Sequence, residues 1–401
     1  MSHALQSTTS IRALTGRAAA PLKAIGLGCL MVAALIAVVS ENSAGFWSAW
    51  LHNWLFAITV GLGALLFVAI QHLTKAGWSV VVRRVAECLS VTIGPLAWLS
   101  VPMLVALLVG SHSLFVWNDA VHVAEDRVLG GKVAWLNAPF FVARTAIYLG
   151  VWWWFAAQFY AGSVRADVKD ADGQLTRLRA RSGPWLIALG ITITLASFDW
   201  IMSLDPHWFS SILGVYLFAS AMVAGLAALT LVVLVLRRAG LLSQVTVEHL
   251  HDLGKLLYGF NCFWAYIAFS QYLLIWYANI PEETGWFYHR QVHGWGEVSI
   301  ALVAVHFVLP FFGLMSRGAK RHAPTLAFWS VLLLIANWID LYWLIMPSVV
   351  GRPVVPGLMD VLLVIGFVAL TTSAFMSAAA GRSLIPRNDP LLSESLAFHN
   401  H

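Results

Sequence analysis

The sequence predicts an all-α integral membrane protein with ten transmembrane helices. Of its 401 residues, 60% are hydrophobic and only 11% are charged, whereas about 25% of the residues of a soluble domain are charged. The apolar residues gather in windows of about 20 residues, the length at which a helix crosses a bilayer. These windows are 23–41, 53–73, 90–110, 138–161, 184–204, 208–236, 253–279, 292–316, 324–347 and 357–380.

The first window is interpreted as a retained helix. Arg12, Arg17 and Lys23 precede it or open it, and no convincing small-residue cleavage site follows, which disfavours a signal peptide. We therefore expect a transmembrane domain at 23–380. Shorter tails at 1–22 and 381–401 are expected to flank it.

The connection between the second and third windows is short and partly amphipathic. It reads GWSVVVRRVAE, and the third helix can begin inside it. Within it, Arg84 and Glu87 are three residues apart, the spacing at which opposite charges meet on a helix. We expect these two residues to form a surface pair at a helix start.

Basic residues in the connections predict the orientation in the membrane. Most of the 24 Lys and Arg residues fall on one side: Arg12, Arg17, Lys23, Lys75, Arg83, Arg84, Arg165, Lys169, Arg177, Arg179, Arg181, Arg237, Arg238, Arg317, Lys320, Arg321, Arg382 and Arg387. The other side holds Arg127, Lys132, Arg290 and Arg352. Because positive charge is retained in the cytoplasm, both termini are expected there.

Cysteine usage excludes several redox centres on this chain. Cys29, Cys88 and Cys262 are isolated and form neither a CxxC pair nor a CxxCH motif. We therefore expect any covalently or thiolate-attached redox group to lie on a partner.

Polar residues inside the windows are candidates for function, since a charged side chain at the bilayer centre costs about 2.5–3.5 kcal/mol on insertion scales. In the seventh window, His251, Lys255 and Tyr266 share one helix face, and Asp252 lies beside it. One interpretation is that Lys255 reaches the headgroups with Asp252 as its partner. The alternative is that these residues form the cytoplasmic mouth of a proton path.

Four further residues lie deeper in the windows. His306, near the middle of the eighth, suits either a neutral histidine bonded to a neighbouring helix or a proton relay. Asp340 lies in the outer half of the ninth, and Arg144 of the fourth is the candidate partner of its carboxylate. A structural ion pair and a relay remain alternatives for them. We interpret Asp205 as a helix cap, and Asp199 lies deeper in the fifth window than Asp205.

Two outer residues raise the possibility of quinone contact. His293 and Glu297 are four residues apart near the outer end of the eighth window, so we expect them on one helix face as acceptors of quinol protons. The spacing of His293 and His306 also resembles that of paired haem ligands. Because no second window offers a matching pair of histidines, haem ligation is disfavoured and no metal ligand is assigned.

Several segments resemble a known family. They are SFDWIMSLDPHWFSSILGVY, HDLGKLLYGFNCFWAYIAFSQYLLIWYANIPEET, RGAKR and NWIDLYWLIMP. All of them are similar to alternative complex III, the bacterial quinol:cytochrome c oxidoreductase that is unrelated to cytochrome bc1. Within that complex the chain resembles the smaller quinone-binding-type membrane subunit, a member of the polysulfide-reductase membrane-subunit (NrfD-like) superfamily.

This resemblance implies an architecture and a set of partners. Spans two to five and six to nine would form two four-helix bundles, flanked by spans one and ten, in a bacterial inner membrane. The implied partners are a multihaem cytochrome c subunit, an iron–sulfur subunit, a larger sister membrane subunit, small haem or anchor subunits and, as an option, a terminal oxidase. Haems and iron–sulfur clusters would lie on those partners, and quinone or quinol is the small molecule that the family implies.

The leading hypothesis is a subunit without its own redox centre that contributes a transmembrane proton route to a quinol-oxidising complex. The route would use His251, Asp252 and Lys255 on the cytoplasmic side, Tyr266 and His306 near the middle, and Arg144, Asp199 and Asp340 in the outer half. Two alternatives stay open. The chain could carry its own quinone site, or it could be a scaffold that docks the sister subunit and an oxidase without chemistry of its own.

Overall fold

The computed structural model describes residues 2–168, 171–349 and 354–399, and for residues 2–17 only the backbone. Lys169 and Arg352, counted among the basic loop residues, lie outside this part, as do the side chains of Arg12 and Arg17. Every regular element in these ranges is helical. The α-helices are α1 Ser2–Val39, α2 Ser43–Leu73, α3 Val80–Ser90, α4 Ile93–Trp98, α5 Val101–Leu108, α6 Ala120–Glu125, α7 Arg127–Lys132, α8 Ala138–Ala166, α9 Ala171–Trp200, α10 Leu213–Arg238, α11 Val247–Ala278, α12 Pro281–His289, α13 Trp295–Leu302, α14 Leu309–Met315, α15 Arg317–Arg321, α16 Ala323–Ile345, α17 Leu358–Ala379 and α18 Leu392–Leu396.

Nine helical segments within the described ranges are long and apolar enough to cross a membrane, as expected of a multi-pass membrane protein. They are Ala18–Val39, Ser43–Leu73, Gly77–Leu108, Ala138–Ala166, Ala171–Leu204, Leu213–Arg238, Trp295–Met315, Ala323–Ser348 and Leu358–Ala379. The predicted seventh span corresponds to α11, which has 32 residues. It is not among the nine, because aromatic and polar residues make it less apolar than the others.

Two of the predicted spans are interrupted, each near a proline. The third span begins inside the connection, as the sequence allowed, and divides into α3, α4 and α5, with Pro102 in the first turn of α5. The eighth span contains a π-helical segment, Val303–Val308, between α13 and α14. Pro310 follows that segment, and its ring cannot accommodate the carbonyl of the residue four positions earlier in a regular α-helix.

The expected cap at Asp205 is wrong. Asp205 follows the 3-10 turn Met202–Leu204, and α10 begins only at Leu213. The residue before a proline is pushed toward extended backbone, and Asp205, which precedes Pro206, has φ −125° and ψ 86°. The chain therefore leaves the helix there and takes several irregular residues to reach α10.

The centre of the molecule is a close crossing of α2 and α10. Gly63 and Gly225 meet there, and a Cβ atom on Gly225 would lie 2.5 Å from the carbonyl carbon of Gly63. Around this crossing, α2 also contacts α3, α8 and α9, while α10 contacts α9, α11 and α16. Helices α1 and α17 pack along each other, and α17 also contacts α2.

Residues 383–398, which we name the C-terminal strap, fold back over one end of the helices. The Ser395 hydroxyl donates to the Trp78 carbonyl at 2.8 Å and accepts from the Val81 amide at 3.4 Å. The Ser395 carbonyl contacts His249 Nε2 of α11 at 3.0 Å. The strap thus joins the start of α3 to the start of α11, so the sequence-predicted tail is folded here.

Beneath the strap lies a buried charged network that corrects the expectation for Arg84 and Glu87. Arg84 Nε lies 3.0 Å from Glu87 Oε2, but both side chains are fully buried rather than at the surface. Arg84 also donates to the carbonyl of Ser383 at 3.2 Å and to Asp167 at 3.0 Å, and Arg83 pairs with Asp389 of the strap. The pair is buried because α8, through Ser163, and the folded strap both cover it. No local pattern at residues 77–87 indicates this. This end of the molecule holds Arg83, Arg84 and the starts of α3 and α11, and we name it the basic end.

Candidate functional site

The carboxyl group of Asp340 lies at the centre of the candidate site. It is fully buried in α16. The Tyr216 hydroxyl of α10 donates to its Oδ1 atom at 2.5 Å, and Trp264 Nε1 of α11 donates to its Oδ2 atom at 3.2 Å. In the described part of the chain, these neutral donors are its hydrogen-bond partners outside its own helix, and it forms no ion pair. Three helices, α10, α11 and α16, therefore converge on one acid.

The expected pairing of Asp340 with Arg144 is wrong, because Arg144 binds Asp199. Arg144 Nε and one terminal nitrogen each lie 2.8 Å from an oxygen of the Asp199 carboxylate, which is a bidentate geometry. Tyr148 donates to the same carboxylate at 2.9 Å, and Trp135 donates at 3.0 Å. This network belongs to α8 and α9, so it is separate from the site around Asp340.

The two carboxyl groups nevertheless occupy matching positions. Asp199 precedes Pro206, and Asp340 precedes Pro347, by the same seven residues. A 3-10 turn follows each helix, at Met202–Leu204 before Pro206 and at Met346–Ser348, which contains Pro347. Both acids therefore stand near the same end of their helices. Asp199 has a guanidinium partner and Asp340 has only neutral ones.

Polar side chains continue from Asp340 toward the basic end. Asn337, one turn away on α16, donates to the Ser220 hydroxyl of α10 at 2.7 Å. Asn261, one turn from Trp264 on α11, is fully buried, and neither atom of its amide has a hydrogen-bond partner among the described residues. Further along α10, the buried Thr230 hydroxyl also lacks a partner in that part of the structure. Buried polar groups are normally satisfied, so these side chains are the candidates for a polar route between Asp340 and the basic end.

At the basic end lie the residues that were predicted to form the cytoplasmic mouth of a proton path. Lys255 Nζ lies 2.5 Å from Asp252 Oδ1, which confirms their pairing, and the Lys255 side chain is 47% exposed. His251 lies beside them on α11 and is buried. The three residues are therefore grouped where α11 begins.

Lys320 also belongs to the group formed by His251, Asp252 and Lys255. In the sequence it is one of the basic loop residues. It is buried, and its ammonium donates to the carbonyls of Leu314 and Met315 at 2.6 and 2.8 Å. Its stem packs on Gly254, where a Cβ atom would lie 2.9 Å from Lys320 Cβ. Burial and the positive charge of Lys255 lower the pKa of Lys320 from its ordinary value. In the sequence, only its place in the RGAKR motif drew attention to Lys320.

His306 lies beside the acid rather than along the polar row. Its ring is fully buried and stacks on Trp264 with a centroid distance of 3.6 Å. Within the described residues, neither ring nitrogen has a hydrogen-bond partner. Tyr266, which we expected near His306, is 65% exposed on the outside of α11. Trp264 rather than Tyr266 is thus the α11 residue that contacts His306. This contact depends on how α11 packs on the eighth span, which the sequence does not indicate.

The outer candidates His293 and Glu297 do not share a helix face. His293 precedes α13 and has a left-handed backbone with φ 55°, whereas Glu297 lies in the first turn of that helix. Both side chains are exposed. The residue that the structure buries in this region is Arg290, which the sequence analysis treated as a loop charge. Over the described ranges, no group of three or more His, Cys, Asp and Glu residues is arranged to hold a metal ion.

Comparison with known proteins does not assign a family. No model of a protein family matches the chain, and no curated protein matches it. Support for a function therefore comes from the motifs of the sequence and from the geometry around Asp340.

Proposed function

We propose that the chain is a membrane subunit of a quinol:cytochrome c oxidoreductase of the alternative complex III type, and that it contributes a transmembrane proton route. The resemblance of its motifs supports the membership. The observation that carries the proton route is the row of buried polar groups that runs from Lys320 and Asp252 past Asn261 to Asp340.

The proposed topology has ten spans, with α11 as the seventh, in two four-helix bundles and with both termini in the cytoplasm. In this orientation the basic end faces the cytoplasm and Asp340 lies in the outer half of the membrane. The partners would be a multihaem cytochrome c subunit, an iron–sulfur subunit, a larger sister membrane subunit and small haem or anchor subunits in a bacterial inner membrane. The excess of basic residues at one end supports the orientation.

In the proposed route, Asp340 is the group that accepts and releases the proton. A carboxyl group held only by the hydroxyl of Tyr216 and the indole of Trp264 can change protonation without breaking an ion pair. Asn261, Ser220 and Asn337 supply donors and acceptors on the side of the basic end. His251, Asp252 and Lys255 would collect protons there.

Asp199 and Arg144 receive a structural role in this proposal. Both oxygens of the Asp199 carboxylate are occupied by the guanidinium, and Tyr148 and Trp135 add two further donors. Transfer of a proton to Asp199 would break a buried bidentate ion pair, which costs several kcal/mol. The outer half of the route is therefore assigned to Asp340 alone.

The test is Asp340→Asn in the assembled complex, with protons released per electron as the measured quantity. The variant keeps the shape of the side chain; its amide oxygen can accept from Trp264, and its NH2 group can donate to the hydroxyl oxygen of Tyr216. We therefore expect assembly with a lower proton-to-electron ratio. Asp360→Asn is the matched control, since Asp360 is also fully buried but accepts from the Gly357 amide at 2.8 Å at the start of α17. If Asp340→Asn pumps like the wild type, the relay role is wrong. A scaffold role would predict full turnover even with the whole polar row neutralised.

A further inference from the structure

A narrow groove runs along the side of the molecule between α16 and α17. Both helices pack on α2, which forms the floor of the groove, and α10 completes the wall beside α16. The floor residues Phe56 and Ala57 are buried, whereas Ile335 of α16 and Val368 of α17 are 49% and 48% exposed at the rims. Because these rims lie in the middle of membrane-spanning segments, the groove opens sideways into the lipid.

The groove is about as long as one leaflet of a bilayer is thick. Its lining on α17 extends from Val364 to Phe375, which at about 1.5 Å per residue gives a length of about 16 Å. Half of the hydrocarbon core of a bilayer is about 15 Å thick. The volume of the groove is about 480 Å³, less than half of what an α-helix about 10 Å wide occupies over that length. The groove therefore suits one extended hydrocarbon chain better than a transmembrane helix.

The polar groups in the walls of the groove are already hydrogen-bonded within the protein. The hydroxyls of Thr371 and Thr372 each donate to a carbonyl of their own helix at 2.8 Å. Trp338 Nε1 donates to Asn53 Oδ1 at 2.8 Å, and the other lining side chains are hydrocarbon. A polar group brought into the groove would lose hydrogen bonds without gaining new ones, which is costly. The part of a ligand that lies here must therefore be apolar throughout.

Arg238 lies beyond the end of the groove that is nearer the basic end. It is the last residue of α10 and follows Leu231, which lines the groove, by seven residues. Seven residues are about two helical turns, so Arg238 is on the same helix face about 10 Å closer to the membrane surface. Its side chain is exposed, and the next helix, α11, begins at the basic end. A guanidinium in this position is placed to bind the phosphate of a lipid headgroup.

We propose that this groove binds one acyl chain of an anionic phospholipid, with the phosphate of that lipid on Arg238. The chain would fill the space between α16 and α17, and the headgroup would stay at the surface of the basic end. Phosphatidylglycerol meets both requirements, because it joins an apolar chain to a headgroup with a net negative charge. A lipid with a choline headgroup would bring a second cation beside Arg238. The groove contains none of the residues of the proposed proton route, so the lipid site stands independently of that function.

The test is photo-labelling of the full-length chain in nanodiscs with phosphatidylglycerol that carries a diazirine in one acyl chain, followed by mapping of the labelled peptides. We expect the label on residues 331–338 and 364–375. Ala228→Trp fills the groove from α10 and should reduce this labelling about tenfold or more. Val215→Trp is the matched control, because Val215 is 39% exposed on the same helix and does not line the groove.

The role of the headgroup is tested with Arg238→Gln. It should lower the labelling about fivefold, which is the contribution of one basic residue near an anionic membrane surface. Arg237→Gln is the control, because it removes the same charge from the neighbouring position on another face of α10, and a smaller effect is expected. With phosphatidylcholine that carries the same diazirine, Arg238→Gln should not lower the labelling.

Four outcomes would overturn the proposal. A label spread evenly over the lipid-facing helices would mean that the groove holds no particular lipid. Labelling that Ala228→Trp leaves unchanged would exclude the groove, and equal effects of Arg237→Gln and Arg238→Gln would exclude the headgroup contact. A label found in nanodiscs but absent in native membranes would mean that a partner helix covers the groove. If Ala228→Trp does not yield a folded protein, Val331→Trp fills the groove from α16, at a position that is 42% exposed, and decides the question.

Discussion

Gly63 of α2 and Gly225 of α10 allow the two central helices to touch through their backbones. A Cβ atom at position 225 would lie 2.5 Å from the carbonyl carbon of Gly63 and 2.6 Å from the Ala64 amide nitrogen. Close approach of this kind is how helices associate in a membrane, where van der Waals packing replaces the hydrophobic effect. The crossing joins the helices around Asp199 to the helices around Asp340.

Gly225→Ala should destabilise the protein by about 1–3 kcal/mol, since the new methyl group meets backbone atoms that cannot move aside. Gly190→Ala on α9 is the control, because a Cβ atom there meets nothing within 4 Å. The measurement is the thermal unfolding of both variants in the same detergent. Equal unfolding temperatures for the two variants would contradict the close crossing.

Arg144→Met should destabilise the protein by about 3–5 kcal/mol, because it leaves the buried Asp199 carboxylate without its cation. Replacing both partners, as Arg144→Met with Asp199→Leu, should recover most of that loss. Denaturant titration of the single and double variants measures the difference. Failure of the double variant to recover stability would show that Arg144 acts through other contacts, such as its stacking on Trp135.

His306→Phe should leave the unfolding temperature unchanged or raise it. The phenyl ring preserves the stacking on Trp264, and it removes two buried nitrogens that have no hydrogen-bond partner in the described structure. The unfolding temperature and the proton-to-electron ratio should both be measured. A large loss of stability would mean that a bound water or ligand satisfies the imidazole.

Asp389→Asn should loosen the C-terminal strap, because it removes the one charged partner of the buried Arg83 that the strap supplies, leaving Glu87 of α3 as its other partner. Limited proteolysis is the measurement, and faster cleavage within residues 383–398 is the expected result. Arg387→Ala is the control, since Arg387 is exposed and, among the described residues, its contact with Asp167 comes from the backbone amide at 2.8 Å. Equal cleavage rates in the two variants would show that the ion pair does not hold the strap.

The contribution of Lys320 to the stability of the wild type should rise as the pH increases from neutral toward the ordinary lysine pKa of about 10.4. Burial and Lys255 lower the pKa of Lys320 in the folded state, so the unfolded chain binds more protons within that window. Lys320→Met should show a smaller rise, because it lacks this titration. The exposed Lys75, replaced as Lys75→Met, is the control and should keep the slope of the wild type. An identical slope in Lys320→Met would contradict the assignment.

Sequence patterns predicted the helical membrane fold and most helix positions, because windows of apolar residues reflect the thickness of the bilayer directly. They also identified Asp340, His306 and the Asp252–Lys255 pair, since polar residues stand out in apolar windows. The partners of these residues could not be predicted in the same way. By their depth in the membrane, both Asp199 and Asp340 are possible partners of Arg144. Only the packing of α8 on α9 brings Asp199 to it.

The residues that were missed are those whose role depends on tertiary contact. Tyr216 and Trp264 are ordinary residues of apolar helices until three helices converge on Asp340. Lys320 and Arg290 were counted as loop charges, and burial of a loop charge depends on how the ends of neighbouring helices pack. The π-helical segment also gave no signal beyond Pro310.

The C-terminal strap has a consequence for how the molecule is assembled during synthesis. Residues 383–398 leave the ribosome after α3 and α11, the helices they bind, and after α17. The strap contacts that link Trp78 to His249 can therefore form only once all of these helices have been made. Until then Arg83 and Arg84 lack their contacts with Asp389 and Ser383, so the buried charges at this end are completed last.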